Sequence, residues 1–146
     1  MRKGFTLFEL VIVIVILGIL LGLGYSSYRK WQERNRVETA TRKIYSEIEY
    51  QRMRAFSQKL KLKIVAASGQ LKVINLDNPN DVRIVNLGAP FSGTISIDEK
   101  GLLSSGSIVY EGDLNLHPSV SCVITNGVRV RMGQTYVDRN GVRRCR

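Results

Sequence analysis

Hydrophobic positions divide the chain into three stretches with different periods. From Leu10 to Tyr28 no residue is charged, and Val, Ile and Leu fill most of the run. A helix of that length, rising about 1.5 Å per residue, reaches across a hydrocarbon core about 30 Å thick. Glu9 stands immediately before the run, and a charge at that depth needs a partner or a task. Further on the period becomes three to four: Val37, Ala40, Ile44, Ile48, Gln51 and Ala55 form one stripe, with Arg34, Arg36, Arg42, Lys43, Glu47 and Arg54 on the other faces. The spacing predicts a single helix from about Thr6 to Leu60, membrane-embedded in its first half (5–28) and amphipathic in its second (29–60). Glu38 and Arg42, and Glu47 and Gln51, are four apart and placed to pair. Gly18, Gly22 and Gly24 each weaken the helix by about 1 kcal/mol relative to alanine. Gly18 and Gly22 also form a small-xxx-small pair suited to close helix approach in lipid.

After Leu60 the period falls to two. Lys61–Val65 and Gln70–Ile74 alternate around a Ser68-Gly69 turn. Asp77-Asn78-Pro79-Asn80-Asp81 is a turn, and 82–85, 94–97 and 107–110 read as further strands. Residues 121–125 and 128–132 form a hairpin around Asn126-Gly127. The predicted fold class is α+β: a long N-terminal helix packed on an antiparallel sheet body spanning 61–146, with no internal repeat and no separate second domain.

Charge changes this picture. The chain has 146 residues and a formal net charge of +10, which becomes +8 if Arg2 and Lys3 are removed. So basic a protein is drawn to polyanions such as nucleic acid, acidic headgroups or anionic surface polymers. Arg29, Lys30, Arg34 and Arg36 follow the apolar run, while only Arg2, Lys3 and the amine precede it. Charge counting alone keeps the C-terminal side in the cytoplasm. Cys122 and Cys145 are compatible with one disulfide in an oxidising compartment or with two buried free thiols.

The leader carries a resemblance. Lys3-Gly4-Phe5-Thr6-Leu7-Phe8-Glu9 against the apolar run is similar to the class III leader of type IV pilins and pseudopilins. An ordinary signal peptide has a shorter apolar region, about 7–15 residues, and a small-x-small site after it. The resemblance implies that a prepilin peptidase cuts between Gly4 and Phe5, leaving 1–4 as leader, and methylates the new terminus on Phe5. It implies that the Glu9 carboxylate meets a neighbouring subunit's terminal amine during assembly. It also implies a single-pass inner-membrane protein whose body faces outward, against the charge count, before incorporation into a pilus or pseudopilus. The expected partners are the peptidase, other pilin or pseudopilin subunits, the inner-membrane assembly platform and membrane lipid. Phe8 is bulkier than the aliphatic residue usual before the Glu, and Ser26 stands near the place of the proline that often kinks pilin helices.

The body resembles the GspH/FimT branch of minor pilins in three places. These are Gln51-Arg52-Met53-Arg54-Ala55-Phe56, Ile97-Asp98-Glu99-Lys100-Gly101 with Ser105-Gly106, and the Ile124-x-x-Gly127-Val128-Arg129-Val130-Arg131 hairpin. Some members of that branch bind DNA through a C-terminal Gly-Arg-x-Arg motif; here an extra residue precedes the first Arg. Arg129 and Arg131 share one strand face. Arg139, Arg143, Arg144 and Arg146 come near them if a disulfide draws the tail onto the hairpin. Arginine's planar fork suits phosphate oxygens, and Tyr136 offers a stacking surface. DNA is therefore a candidate partner, against the alternatives of a solvated basic face or a purely structural, initiating GspH-like pseudopilin of a type II secretion system.

Enzymatic chemistry has little footing in the sequence. His117 precedes Pro118 with no nucleophile in a recognisable setting, and one His with two Cys does not make a conventional zinc site. No phosphate-cradling Gly-rich loop ending in Lys occurs. The oxygens of Asp77, Asn78, Asn80 and Asp81 suit a turn better than a calcium site. The expectation is a non-enzymatic subunit without catalytic residues, metal or cofactor.

Overall fold

The structure, a computed structural model, describes residues 6–146, apart from the side chains at 21, 23, 24 and 26. Two compact units divide the chain, residues 1–33 and 34–146. Helix α1 (Leu7–Gln58) contributes to both.

In the first unit, Thr6 caps the helix. Its carbonyl accepts the amides of Glu9 and Leu10 at 3.1 and 3.2 Å, and its hydroxyl oxygen accepts the Glu9 amide at 3.3 Å. Thr6 and Glu9 thus have the spacing of a capping box, and the acid lies where the helix dipole favours negative charge. The helix begins one residue later than the period suggested because Thr6 serves as cap. At Gly18 and Gly22 nothing stands within 4 Å of where a Cβ would be. Among the described residues, the close approach that their small size permits is therefore not used. Gly24 and Ser26, singled out in the sequence, have side-chain positions outside the described residues. The expected membrane-crossing segment is not recovered as such: among the described residues, no helix is long and apolar enough to cross a membrane. Phe5 lies outside the described residues, and the unbroken described run, 7–20, is shorter than the roughly 20 residues a span needs.

In the second unit, the stripe anticipated from the 3–4 period is the buried face of α1. Val37, Ala40, Ile44, Ile48, Gln51 and Ala55 are all buried. Glu47 and Gln51 pair as expected, with Gln51 Nε2 donating to Glu47 Oε1 at 2.7 Å. Glu38 does not pair with Arg42. Its carboxylate accepts the Ser119 amide at 2.7 Å and the Arg34 guanidinium at 3.2 Å, one turn toward the N-terminus. The loop amide outcompetes a solvent-exposed helix pair, whose worth is only about 0.3–0.5 kcal/mol. The helix stops after Gln58: Lys59 takes the left-handed region at φ 57°, and the Leu60 amide turns back to the Ala55 carbonyl at 3.1 Å.

Seven strands follow: β1 (Leu62–Ala67), β2 (Gln70–Asn75), β3 (Val82–Asn86), β4 (Phe91–Ile97), β5 (Leu103–Tyr110), β6 (Cys122–Gly127) and β7 (Arg129–Gly133). They make one antiparallel sheet in the order β3-β2-β1-β4-β5-β6-β7. Leu62, Ile64, Leu71, Val73, Ile95, Ile97, Ile108 and Val123 project from one face into the core beneath α1. The Ser68-Gly69 turn has positive φ at both residues, 51° and 75°, the mirror-image geometry that matches strand twist. Two strands that the alternation does not announce, β8 (Thr135–Val137) and β9 (Arg143–Cys145), form a separate two-stranded sheet.

Gly93 sits in β4 at φ 145°, and a Cβ there would collide with the Ser107 carbonyl and the Ile108 Cα of β5. Gly93→Ala should destabilise the body by about 1–3 kcal/mol through overpacking and strain. Urea denaturation followed by circular dichroism reads this as a lowered midpoint at unchanged slope.

Candidate functional site

Two regions carry candidate chemistry, one in each unit. At the N-terminus, Gly4 and Phe5 lie outside the described residues. Glu9 stands in the first turn of α1, one turn beyond Phe5 in sequence. From Leu7 to Leu20 the large apolar side chains are exposed within the single chain, so the surface around Glu9 is an uncovered hydrophobic one. Sequence reasoning overlooked an aromatic group at the far end of the apolar run. Tyr25, Tyr28 and Trp31 are all more than half exposed, with Tyr28 and Trp31 ring centroids 5.9 Å apart and Arg29 over the Tyr25 ring. Aromatic and basic side chains interleave at the end of the uncharged run, a grouping legible in the sequence.

The second region is the sheet face turned away from α1. Val130 and Met132 pack toward the core, so Arg129 and Arg131 of β7 face outward and are exposed. They stand opposite Asn126 and Ile124 of β6. The C-terminal segment folds onto the same face. Cys122 of β6 and Cys145 of β9 are joined by a disulfide with their Cα atoms 5.8 Å apart. Backbone bonds between Gln134 and Arg146 at 3.0 and 3.1 Å, and between Thr135 and the Ser121 hydroxyl at 2.8 Å, hold β8 and β9 in place. Arg144 and Tyr136 come to line a shallow hollow with Ser105, Ser107, Ile124 and Asn126. It adjoins a second hollow bearing Arg129 and Arg131.

The six arginines singled out in the sequence are thus not equivalent. Arg129, Arg131 and Arg144 converge on one face. Arg146 lies over the Tyr136 ring, 5.7 Å from its centroid. Arg139 is exposed in the turn between β8 and β9. Arg143 is turned inward: its Nη1 donates to the Tyr110 and Gly112 carbonyls at 3.0 and 2.9 Å, and its Nε meets Glu111 at 3.4 Å. Backbone carbonyls at the end of β5 need donors, and a half-buried guanidinium supplies two. Elsewhere, Asp77 accepts the Lys61 amide and Asp81 accepts Arg54 at 2.7 Å. No group of three or more His, Cys, Asp or Glu side chains among the described residues is placed to hold a metal ion.

Residues 1–25 match the family described as Prokaryotic N-terminal methylation motif. This is a prepilin-type N-terminus, and it supports a type IV pilin or pseudopilin. Prepilin-type chains of this kind are processed by prepilin peptidase, anchored in the inner membrane and assembled with other pilin subunits, and the motif implies the same here. The helix-on-sheet body is a pilin-like α+β fold. No curated protein and no solved structure matches the chain.

Electrostatics of the C-terminal hairpin give a test of its construction. The Asp138 carboxyl is held below its usual value of 3.8, first by the hydrogen bond from Arg144 at 2.6 Å, then by the amides of Asn140 and Val142. A carboxyl depressed on folding contributes stability that is full above its unfolded value and is lost as pH falls through the folded one. Thermal unfolding of the wild type should therefore lose stability as pH falls below the usual carboxylate value of 3.8 in a way that Asp138→Asn does not. A wild-type acid limb parallel to the variant's would show that the Arg144 pair does not persist in solution.

Proposed function

We propose that the protein is a minor subunit of a type IV pilus or a type II secretion pseudopilus, of the GspH/FimT branch, acting as a non-enzymatic structural and binding component. The observation that carries this reading is the prepilin-type motif joined to a helix-on-sheet body. The peptidase cuts between Gly4 and Phe5 and methylates Phe5. Segment 5–28 crosses the inner membrane, with Tyr25, Tyr28 and Trp31 at its outer boundary in contact with lipid. The body faces the periplasm, where the Cys122–Cys145 disulfide can persist. The assembly platform then passes the subunit into the filament.

During assembly Glu9 pairs with a neighbouring subunit's terminal amine in an apolar setting. Removing one partner from such a pair leaves an uncompensated charge at a cost of about 3–5 kcal/mol. Glu9→Ala should give a chain that is cleaved and membrane-retained yet scarce in sheared filaments, measured by immunoblot of the two fractions. Wild-type abundance in the filament fraction would remove Glu9 from the assembly step.

The convergence of Arg129, Arg131 and Arg144 on one open face supports DNA binding by phosphate contact. Charge reversal at Arg129 and Arg131 should cut retardation of duplex DNA in a gel shift at least tenfold, since each phosphate contact adds to a salt-sensitive binding term. Unchanged retardation would assign the face to solvation. One observation favours the structural GspH-like reading instead: Arg143 and Arg144 are engaged with Tyr110, Gly112, Glu111 and Asp138. On that reading the C-terminal arginines serve the fold.

A further inference from the structure

Charge in this body is sorted by secondary structure. Among the described residues, none of the nine strands carries an aspartate or glutamate; the acids lie in α1 and in turns. The strand charges are all basic. Arg83 points to the helix side, where it meets Glu47, and Arg143 points to the Tyr110 and Gly112 carbonyls. The others, Lys63, Lys72, Arg129, Arg131 and Arg144, are exposed on the face away from α1.

Strand register shows how they are laid out. Lys72 of β2 lies level with Val65 of β1 and Thr94 of β4. On the other half of the sheet, Ser107 of β5, Ile124 of β6 and Arg131 of β7 lie level with one another. A neighbouring row brings Lys63 level with Ser96, and Asn126 level with Arg129. Each half of the sheet therefore carries two cations, with hydroxyl groups of β4 and β5 and the apolar Val65 and Ile124 between them, and Ile84 of β3 stands outside Lys72. Glu111 is bonded to Ser92 and Arg143, and Asp138 to Arg144.

We infer that the part of the outer face left open beside β8 and β9, from Lys72 and Lys63 to Arg131 and Arg129, is one binding track for the phosphate backbone of double-stranded DNA. This rests on the DNA reading above and extends it beyond the C-terminal arginines. From β2 to β7 is five strand spacings, about 24 Å at roughly 4.8 Å each. At a rise of about 3.4 Å per base pair, that is about seven base pairs of duplex. Lysines and arginines neutralise phosphates near the margins, and the central hydroxyls donate to phosphate oxygens between them. Single-stranded binders rely on successive aromatic platforms. This face has Tyr136 at its margin, already under Arg146, so the duplex is the favoured occupant.

The test is the salt dependence of binding by the full chain in a nonionic detergent, measured by fluorescence anisotropy with a labelled duplex of about two helical turns. Each lost phosphate contact lowers the slope of log Kobs against log salt by about 0.9, so Lys63→Gln with Lys72→Gln should make it shallower by about 1.8. Arg129→Gln with Arg131→Gln should do the same. All four side chains are exposed, and circular dichroism melts verify that the folds are kept. If the lysine pair leaves the slope unchanged while the arginine pair lowers it, DNA stays at the β7 edge: the track is refuted and the DNA reading stands. If the wild type fails to bind duplex, both fall. Tighter binding of the single strand than of the duplex overturns the assignment of occupant.

Discussion

A single helix stripe covers a single face of a wide sheet, and the rest of the body follows from that constraint. Side chains in a strand alternate, so every residue delivered to the core beneath α1 forces its neighbours outward. Ile44 and Ile48 meet a floor made by alternate positions of β1, β2, β4, β5 and β6. The opposite face receives no second layer over most of its area and must be compatible with water. Most of the strands meet that requirement with serine, threonine, asparagine, lysine and arginine, and none with a carboxylate, although β3 leaves Val82 and Ile84 exposed. Solubility alone would accept either sign of charge, and the strands carry only the basic one.

The N-terminal unit meets a different constraint. A carboxylate beside a long apolar run is expensive wherever lipid or packed helices surround it. Placing Glu9 three residues after the capping Thr6 sets it in the first turn, where unpaired amides and the dipole lower the cost of a negative charge. Cap and acid therefore fall within one turn of each other, inside the segment that matches the prepilin-type motif.

Much of this was legible in the sequence because periodicity is strong where burial is one-sided. The stripe from Val37 to Ala55, the strands β1 to β7 and the turns at Ser68-Gly69 and Asn126-Gly127 all carry that signal. β8 and β9 do not. They are three residues long, one of them reads Arg-Arg-Cys, and they are held by Ser121, Gln134 and the disulfide rather than by alternating burial. The inward turn of Arg143 was equally hidden, since only the folded chain brings its guanidinium to the Tyr110 and Gly112 carbonyls. Glu38 followed a loop amide far away in sequence, beyond the reach of a helix-spacing argument. The aromatic group at Tyr25, Tyr28 and Trp31, by contrast, is legible in the sequence from its spacing at the end of the uncharged run.

The two margins of the large sheet are unequal. β3 presents Val82 and Ile84 to solvent, whereas β7 presents Arg129 and Arg131. Bringing two β7 margins together would set like guanidinium groups against one another, a known defence against edge-to-edge fusion. Copies crowded side by side are thereby discouraged from merging into a continuous ribbon along that margin, and their cohesion is left to elements other than the strands.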